Sequence, residues 1–179
     1  MAFLGFSAGL PFLLVFSTLT AWLRDEGISK STIGFFAWVG ITYSVKVFWA
    51  PVVDRLPVPF LTTRLGQRRG WILAAQLGIA TGLVAMAFVG TGNLVLLSIC
   101  ALLVAFSSAT QDIAIDAYRI EAVIDEYQGA MSASYIFGYR IALLAAGAGA
   151  LYLAEYFTWP AAYITMASLV AVGAVTVLL

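Results

Sequence analysis

LVLLSICALLVAFSSATQDIAIDAYR, Leu94 to Arg119, decides the fold. Everything from Leu94 to Gln111 is uncharged, and Asp112, Asp116 and Arg119 then follow in quick succession. An apolar run of about 20 residues covers the roughly 30 Å of a bilayer's hydrocarbon at about 1.5 Å per residue. A charge at the centre of such a helix costs about 2.5 to 3.5 kcal/mol, so these groups must be paired, hydrated or near the interface. At about 100° per residue, Asp112, Asp116 and Arg119 lie within about 60° of one another, and Ala101, Ala105 and Ser108 continue the same stripe. Ile99, Leu103, Phe106, Thr110, Ile113 and Ala117 fall on the opposite face, facing lipid or a neighbouring helix. The charged face is expected to look onto protein or water.

The rest of the chain agrees. Of its 179 residues, 63% are hydrophobic and 10% charged, where a soluble domain carries about 25% charged residues. The mean hydropathy is +0.99. An all-α, polytopic membrane protein follows. Six spans are expected at 2–23, 32–50, 71–89, 94–117, 130–153 and 159–179. Lys and Arg favour the second and fourth connections over the odd-numbered ones, five against two, so the positive-inside rule places both ends of the chain in the cytoplasm. The first span lacks the charged leader of a cleaved signal and is too long for one. It begins at the very edge of the chain and the last span ends without a polar flank, which reads as a fragment or one half of a longer protein.

Other function classes recede. A formal net charge of zero without a basic run gives no reason to expect nucleic acid. The single cysteine, Cys100, and the absence of histidine leave no disulfide, no thiol metal cluster and no implied cofactor. Proton handling therefore falls to carboxyl groups. Gly5 and Gly9 form a GxxxG pair, and Gly138, Ala142, Ala146 and Ala150 form a small-residue ladder; both suit bundle packing or dimerisation. Pro11 predicts a kink facing either a cavity or lipid. Trp22, Trp49, Trp71 and Trp159 sit at span ends as interface anchors.

Four charges lie within or near the ends of spans: Lys46, Asp112, Asp116 and Arg140. One reading is an ion network joining spans two, four and five. The other gives Lys46 and Arg140 to an anionic substrate and a proton to Asp112 or Asp116, since a partly desolvated carboxyl takes up protons more readily. Gln111, Tyr43 and Tyr139 join the substrate-contact candidates, with Tyr135 beside Tyr139. Arg119 completes the charge network. Aspartyl catalysis needs two carboxyls converging on one water. The i, i+4 spacing of Asp112 and Asp116, with Arg119 beside them, suits a relay or ion pair better, so no catalytic residue is expected.

WAPVVDR (Trp49 to Arg55), GQRRGW (Gly66 to Trp71), SATQDIAIDAYR (Ser108 to Arg119) and FGYR (Phe137 to Arg140) together resemble the AmpG-type muropeptide permeases of the major facilitator superfamily. SATQDIAIDAYR is the specific element; the aspartate-arginine and paired-arginine element is shared across the superfamily. Here Ala50 stands at that pattern's first glycine, and the arginine pair arrives late, after Pro57 to Leu65. The resemblance implies a cytoplasmic gating loop built on Asp54, Arg55, Gly66, Arg68 and Arg69. It also implies twelve spans in two halves, of which this chain is the N-terminal six and the C-terminal half is a missing partner. The implied activity is proton-coupled import of anhydro-muropeptides across the bacterial inner membrane, with substrate, protons and lipid as partners. The alternatives are a related facilitator carrying another anion such as acetyl-CoA, or a noncatalytic membrane assembly partner.

Overall fold

The computed structural model describes Met1 to Leu179, and the chain is built of helices alone. Six helices are long and apolar enough to cross a membrane: α1 (Ala2–Asp25), α2 (Lys30–Phe48), α5 (Gln67–Gly92), α6 (Leu94–Ala122), α7 (Asp125–Tyr156) and α8 (Trp159–Leu178). Two short helices, α3 (Ala50–Arg55) and α4 (Leu61–Leu65), occupy the connection before α5. A helix satisfies its own backbone, which is what an apolar sequence needs in lipid. Its ends need caps. Ser29 Oγ accepts from Thr32 N at 3.3 Å, Asn93 Oδ1 from Leu96 N at 3.0 Å and Thr158 Oγ1 from Ala161 N at 3.2 Å, starting α2, α6 and α8.

Several helices outrun the expected spans. α5 starts at Gln67 rather than Trp71, α6 runs on to Ala122 rather than 117, and α7 extends beyond 130–153 at both ends. A hydropathy reading stops at charge, whereas a helix continues through charge once it leaves hydrocarbon. Gly66, at φ 83°, makes the turn into α5. Arg68 and Arg69 consequently ride on the first turn of α5 instead of lying in a loop.

α1, α5, α6 and α8 form the inside of the bundle. α2 and α7 are more peripheral, and most of their residues are exposed or half-buried. Both depart from α geometry. α2 tightens to 3-10 winding at Ala37–Gly40 and Lys46–Phe48, and α7 widens to a π turn at Ala145–Gly149. Such irregular windings break the uniform backbone ladder of a helix.

The core has two apolar clusters, one around Leu14, Leu83, Val104 and Tyr163 and a smaller one around Leu4, Ile72, Ile115 and Val177. Between them lies a buried polar layer. Gln76 Nε2 and Gln111 Nε2 approach Ser7 Oγ at 3.3 and 3.4 Å, and Gly173 packs directly against Ser7 and Gln76. One residue from each of the four inner helices meets there.

Gly5 faces the Tyr135 backbone and Gly138 the Ala2 backbone, close enough that an added Cβ would overlap a carbonyl oxygen in each case. The two small-residue ridges therefore pack α1 against α7 inside one bundle, the bundle-packing alternative rather than dimerisation. Pro11 is buried and the helix passes through it; the discontinuity comes at Phe16, with φ −110° and ψ −94°. Next to it the Tyr163 hydroxyl donates to the Leu14 carbonyl at 2.7 Å, and Thr18 Oγ1 donates to Ala146 O at 2.8 Å. Tyr163→Phe should leave the buried Leu14 carbonyl without that donor, at a cost of about 1 to 2 kcal/mol. Thermal unfolding of the protein in detergent should shift down by about 3 to 6 °C; an unchanged midpoint would show that the carbonyl does not depend on the hydroxyl.

Trp22 corrects an expectation. It is fully buried, 4.9 Å from the Tyr163 ring and 5.9 Å from the Trp159 ring, so it is core rather than an interface anchor. Its position at a span end was visible in sequence; the two aromatics on α8 that enclose it were not.

Candidate functional site

α6 carries the charged stripe, and α2 and α7 flank it. Lys46 begins the second 3-10 segment of α2, and its Nζ lies 3.7 Å from Asp112 Oδ2. The pair is neither sealed nor open: the side chains are 35% and 23% exposed. The other carboxylate oxygen, Asp112 Oδ1, is buried without a hydrogen-bond partner. A single long contact and an unmatched oxygen leave this acid able to accept a proton or a further donor.

Asp116 is exposed and pairs with Arg119 one turn along at 3.4 Å. Arg119 also lies over the Tyr135 ring, 5.9 Å from its centroid, which joins α6 to α7 by a cation–π contact. Its Nε is buried and unpartnered. Arg140 is exposed on α7 and has no carboxylate within 4.0 Å. The ion network, one of the two readings of these charges, is not formed as a whole: the charges make two separate pairs, with Arg140 outside both. Sequence periodicity grouped charges on one helix but had no means of saying which neighbour each would meet.

Tyr43 packs its ring on Phe12 and Phe16, both centroids 5.9 Å away, beside the break in α1. Its hydroxyl is buried and without a partner. Tyr139 and Tyr135 stand side by side on α7 at 6.2 Å. Gln111 behaves otherwise: it is fully buried and turned toward Ser7 in the polar layer, away from the partly exposed face that carries Asp112. Thr110, whose angle on α6 allowed lipid or a neighbouring helix, meets the second and is buried; its Oγ1 accepts from Trp49 Nε1 at 3.2 Å and donates to Phe106 O at 2.8 Å. The Trp49 ring packs tilted on Phe106, centroids 4.9 Å apart, so it fastens α3 to α6 rather than merely marking an interface.

At the end of the bundle that carries α3 and α4, Arg68 bridges two elements. Its Nη1 donates to Asp54 Oδ1 at 2.6 Å and its Nη2 to Glu121 Oε1 at 2.7 Å. Gln67 Nε2 adds a bond to Val53 O at 3.2 Å, Trp71 Nε1 donates to Leu56 O at 2.8 Å, and Arg69 lies 6.0 Å over Tyr118. Arg55 is exposed and unpaired with any carboxylate. Glu121 is the member that sequence reasoning missed, because the expected span ended before it; the continuing α6 periodicity was the available signal.

No group of three His, Cys, Asp or Glu side chains converges as a metal site would require. What the α2–α6–α7 face offers is a partly exposed ion pair, an arginine with no carboxylate within 4.0 Å and tyrosine hydroxyls.

The family model described as acetyl-coenzyme A transporter 1 matches residues 1–95. The anhydromuropeptide permease of Escherichia coli (strain K12) is 41% identical over 168 residues, covering 93% of this chain and 33% of that protein. Two proteins named "Putative transporter AmpG 4" are also similar. That of Rickettsia conorii is 43% identical over 153 residues, 85% of this chain and 37% of its own length; that of Rickettsia felis is 39% identical over 181 residues, 98% and 43%. The chain thus spans between a third and somewhat over two fifths of the length of these curated relatives.

Proposed function

The chain belongs to the acetyl-coenzyme A transporter 1 family, and within it we propose that it forms the N-terminal six-helix half of a proton-coupled carrier that imports anhydro-muropeptides. The observation that carries this reading is the 41% identity to the E. coli anhydromuropeptide permease across 93% of this chain. The carrier sits in the bacterial inner membrane with both ends of this segment in the cytoplasm. A second six-helix half faces the α2–α6–α7 surface and closes a midplane site between the halves. Substrate meets Lys46, Arg140, Tyr43 and Tyr139; Asp112 or Asp116 exchanges the proton. Asp54, Arg55, Gly66, Arg68 and Arg69 form the cytoplasmic gate, with Arg68 as the strut that must let go of Glu121 when the halves rock. Gln111 serves packing.

A second reading, transport of acetyl-CoA, draws on the description of the family model. A multiply charged thioester asks for several free cations. Within the spans on this face Arg140 is unpaired, while Lys46 and Arg119 are already engaged with carboxylates. Thermal stabilisation of the full-length protein separates the two, because a ligand that binds only the folded state raises the unfolding midpoint. N-acetylglucosaminyl-anhydro-N-acetylmuramic acid should raise it and acetyl-CoA should not; the reverse would move the assignment to acetyl-CoA.

Arg140→Ala should weaken binding of that carboxylate ligand by about fivefold to tenfold, in line with the 1 to 1.4 kcal/mol of a partly hydrated charge contact, and its neutral carboxamide by less than about twofold. Calorimetric titration of both ligands checks it. Equal losses would mean that Arg140 acts through the fold instead of through charge.

A further inference from the structure

Lys46 has two claims on it. It is the cation paired with Asp112, and with Arg140 it is one of the two cations assigned above to an anionic substrate. One ammonium 3.7 Å from a carboxylate cannot fully serve a second carboxylate while the first stays charged, because the two anions would then stand side by side in a partly desolvated place. Asp112 has nothing else to lean on: its Oδ1 is buried and unpartnered. The other groups around it do not neutralise it. Asp116, on the same helix, is itself an acid and is held by Arg119. Tyr43 from α2 and Tyr135 and Tyr139 from α7 are within its electrostatic reach and are neutral hydrogen-bonding groups. α1 brings no titratable side chain between Ala2 and Val15.

We infer that Asp112 and the substrate's carboxylate compete for Lys46, so that the anion binds as Asp112 takes one proton from solution and releases the ammonium. The inference rests on the muropeptide reading above and assigns its coupling to a partner exchange at one lysine. The balance is simple. One proton joins the Asp112 carboxylate, no covalent bond of Lys46 changes, and the ammonium trades one carboxylate for another. The site's charge is the same before and after, since an anion and a proton enter together. Lys46 lies in the 3-10 turn at the end of α2, a helix with few buried residues, so the exchange also loosens α2 from α6 at the moment of binding. The same pair then assigns the role to Asp112 over Asp116, whose cation is a neighbour on its own helix.

The test uses the full-length protein in weakly buffered detergent solution between about pH 4 and 8. A pH indicator counts protons taken up, and calorimetry counts ligand bound. The ligands are N-acetylglucosaminyl-anhydro-N-acetylmuramic acid and its carboxamide. The carboxylate should be accompanied by proton uptake and the carboxamide by none, a comparison that needs no mutation. Asp112→Asn should bind the carboxylate with no uptake and no dependence on pH across this range. Lys46→Gln should bind it about tenfold or more weakly, again without uptake. Uptake that is equal for the carboxamide, or that persists in Asp112→Asn, overturns the exchange while leaving the muropeptide reading in place. Binding of neither ligand by folded wild-type protein removes the muropeptide reading, and the exchange with it.

Discussion

Asp112→Asn should abolish proton-driven accumulation of muropeptide by the full-length carrier while leaving the amount of protein in the membrane unchanged. A carrier that moves one proton with one substrate can hold a concentration ratio of about tenfold for each pH unit across the membrane. With two units imposed, accumulation should therefore fall by about a hundredfold, to simple equilibration or below. Asparagine keeps the shape and the hydrogen-bonding oxygen of Asp112 and removes the titratable group. It also leaves Lys46 without its carboxylate at 3.7 Å. That ammonium is 35% exposed, so water takes over much of the lost interaction and the bundle should not unfold. Asp116→Asn should be milder, because Asp116 is exposed and paired within its own helix. Accumulation at the wild-type level by Asp112→Asn, Asp116→Asn and the double variant would remove both acids from the coupling step.

Gly5→Val should be the most damaging packing change. The position lies where α1 meets the Tyr135 backbone of α7, and even a bare Cβ would overlap that carbonyl. Valine adds two methyls to a site without room for one, and the obstacle is backbone, which cannot rotate aside. The helices must separate, at a cost of about 3 kcal/mol or more, which for a domain of this size lowers the unfolding midpoint by about 6 to 12 °C. Separation also displaces Tyr135 and Tyr139 and so reaches the charged face. Gly34→Ala and Gly129→Ala, where nothing lies within 4 Å of the added atom, should move it by about a degree or two at most. If Gly5→Val melts with those controls, α1 and α7 are not packed as described.

The membrane-spanning helices could be read from the sequence because lipid imposes one solution on a long apolar run, and Leu94 to Gln111 states that solution plainly. The small-residue ridges at Gly5 and Gly138 were also readable, though only the folded chain shows that they meet each other. Helix ends were not readable. Arg68, Arg69, Arg119 and Glu121 look like loop residues to a hydropathy scan, yet they continue α5 and α6. Trp22 was misassigned because a place at a span end says nothing about how many neighbours the helix has there; the angle of Thr110 allowed lipid or a neighbouring helix, and the structure has the second. The same limit governed the site. Asp112 stood out by its expense in lipid, and Lys46 by the same reasoning; that they form a pair, and that Arg140 does not join them, depends on how α2 and α7 pack against α6.

The most direct test of the account is uptake of labelled N-acetylglucosaminyl-anhydro-N-acetylmuramic acid into proteoliposomes holding the full-length protein, with and without an inward proton gradient. Accumulation above equilibrium is expected when the gradient is present, and its loss when a protonophore collapses the gradient. Uptake that is absent, or that reaches the same level with and without the gradient in correctly folded and oriented protein, would contradict it.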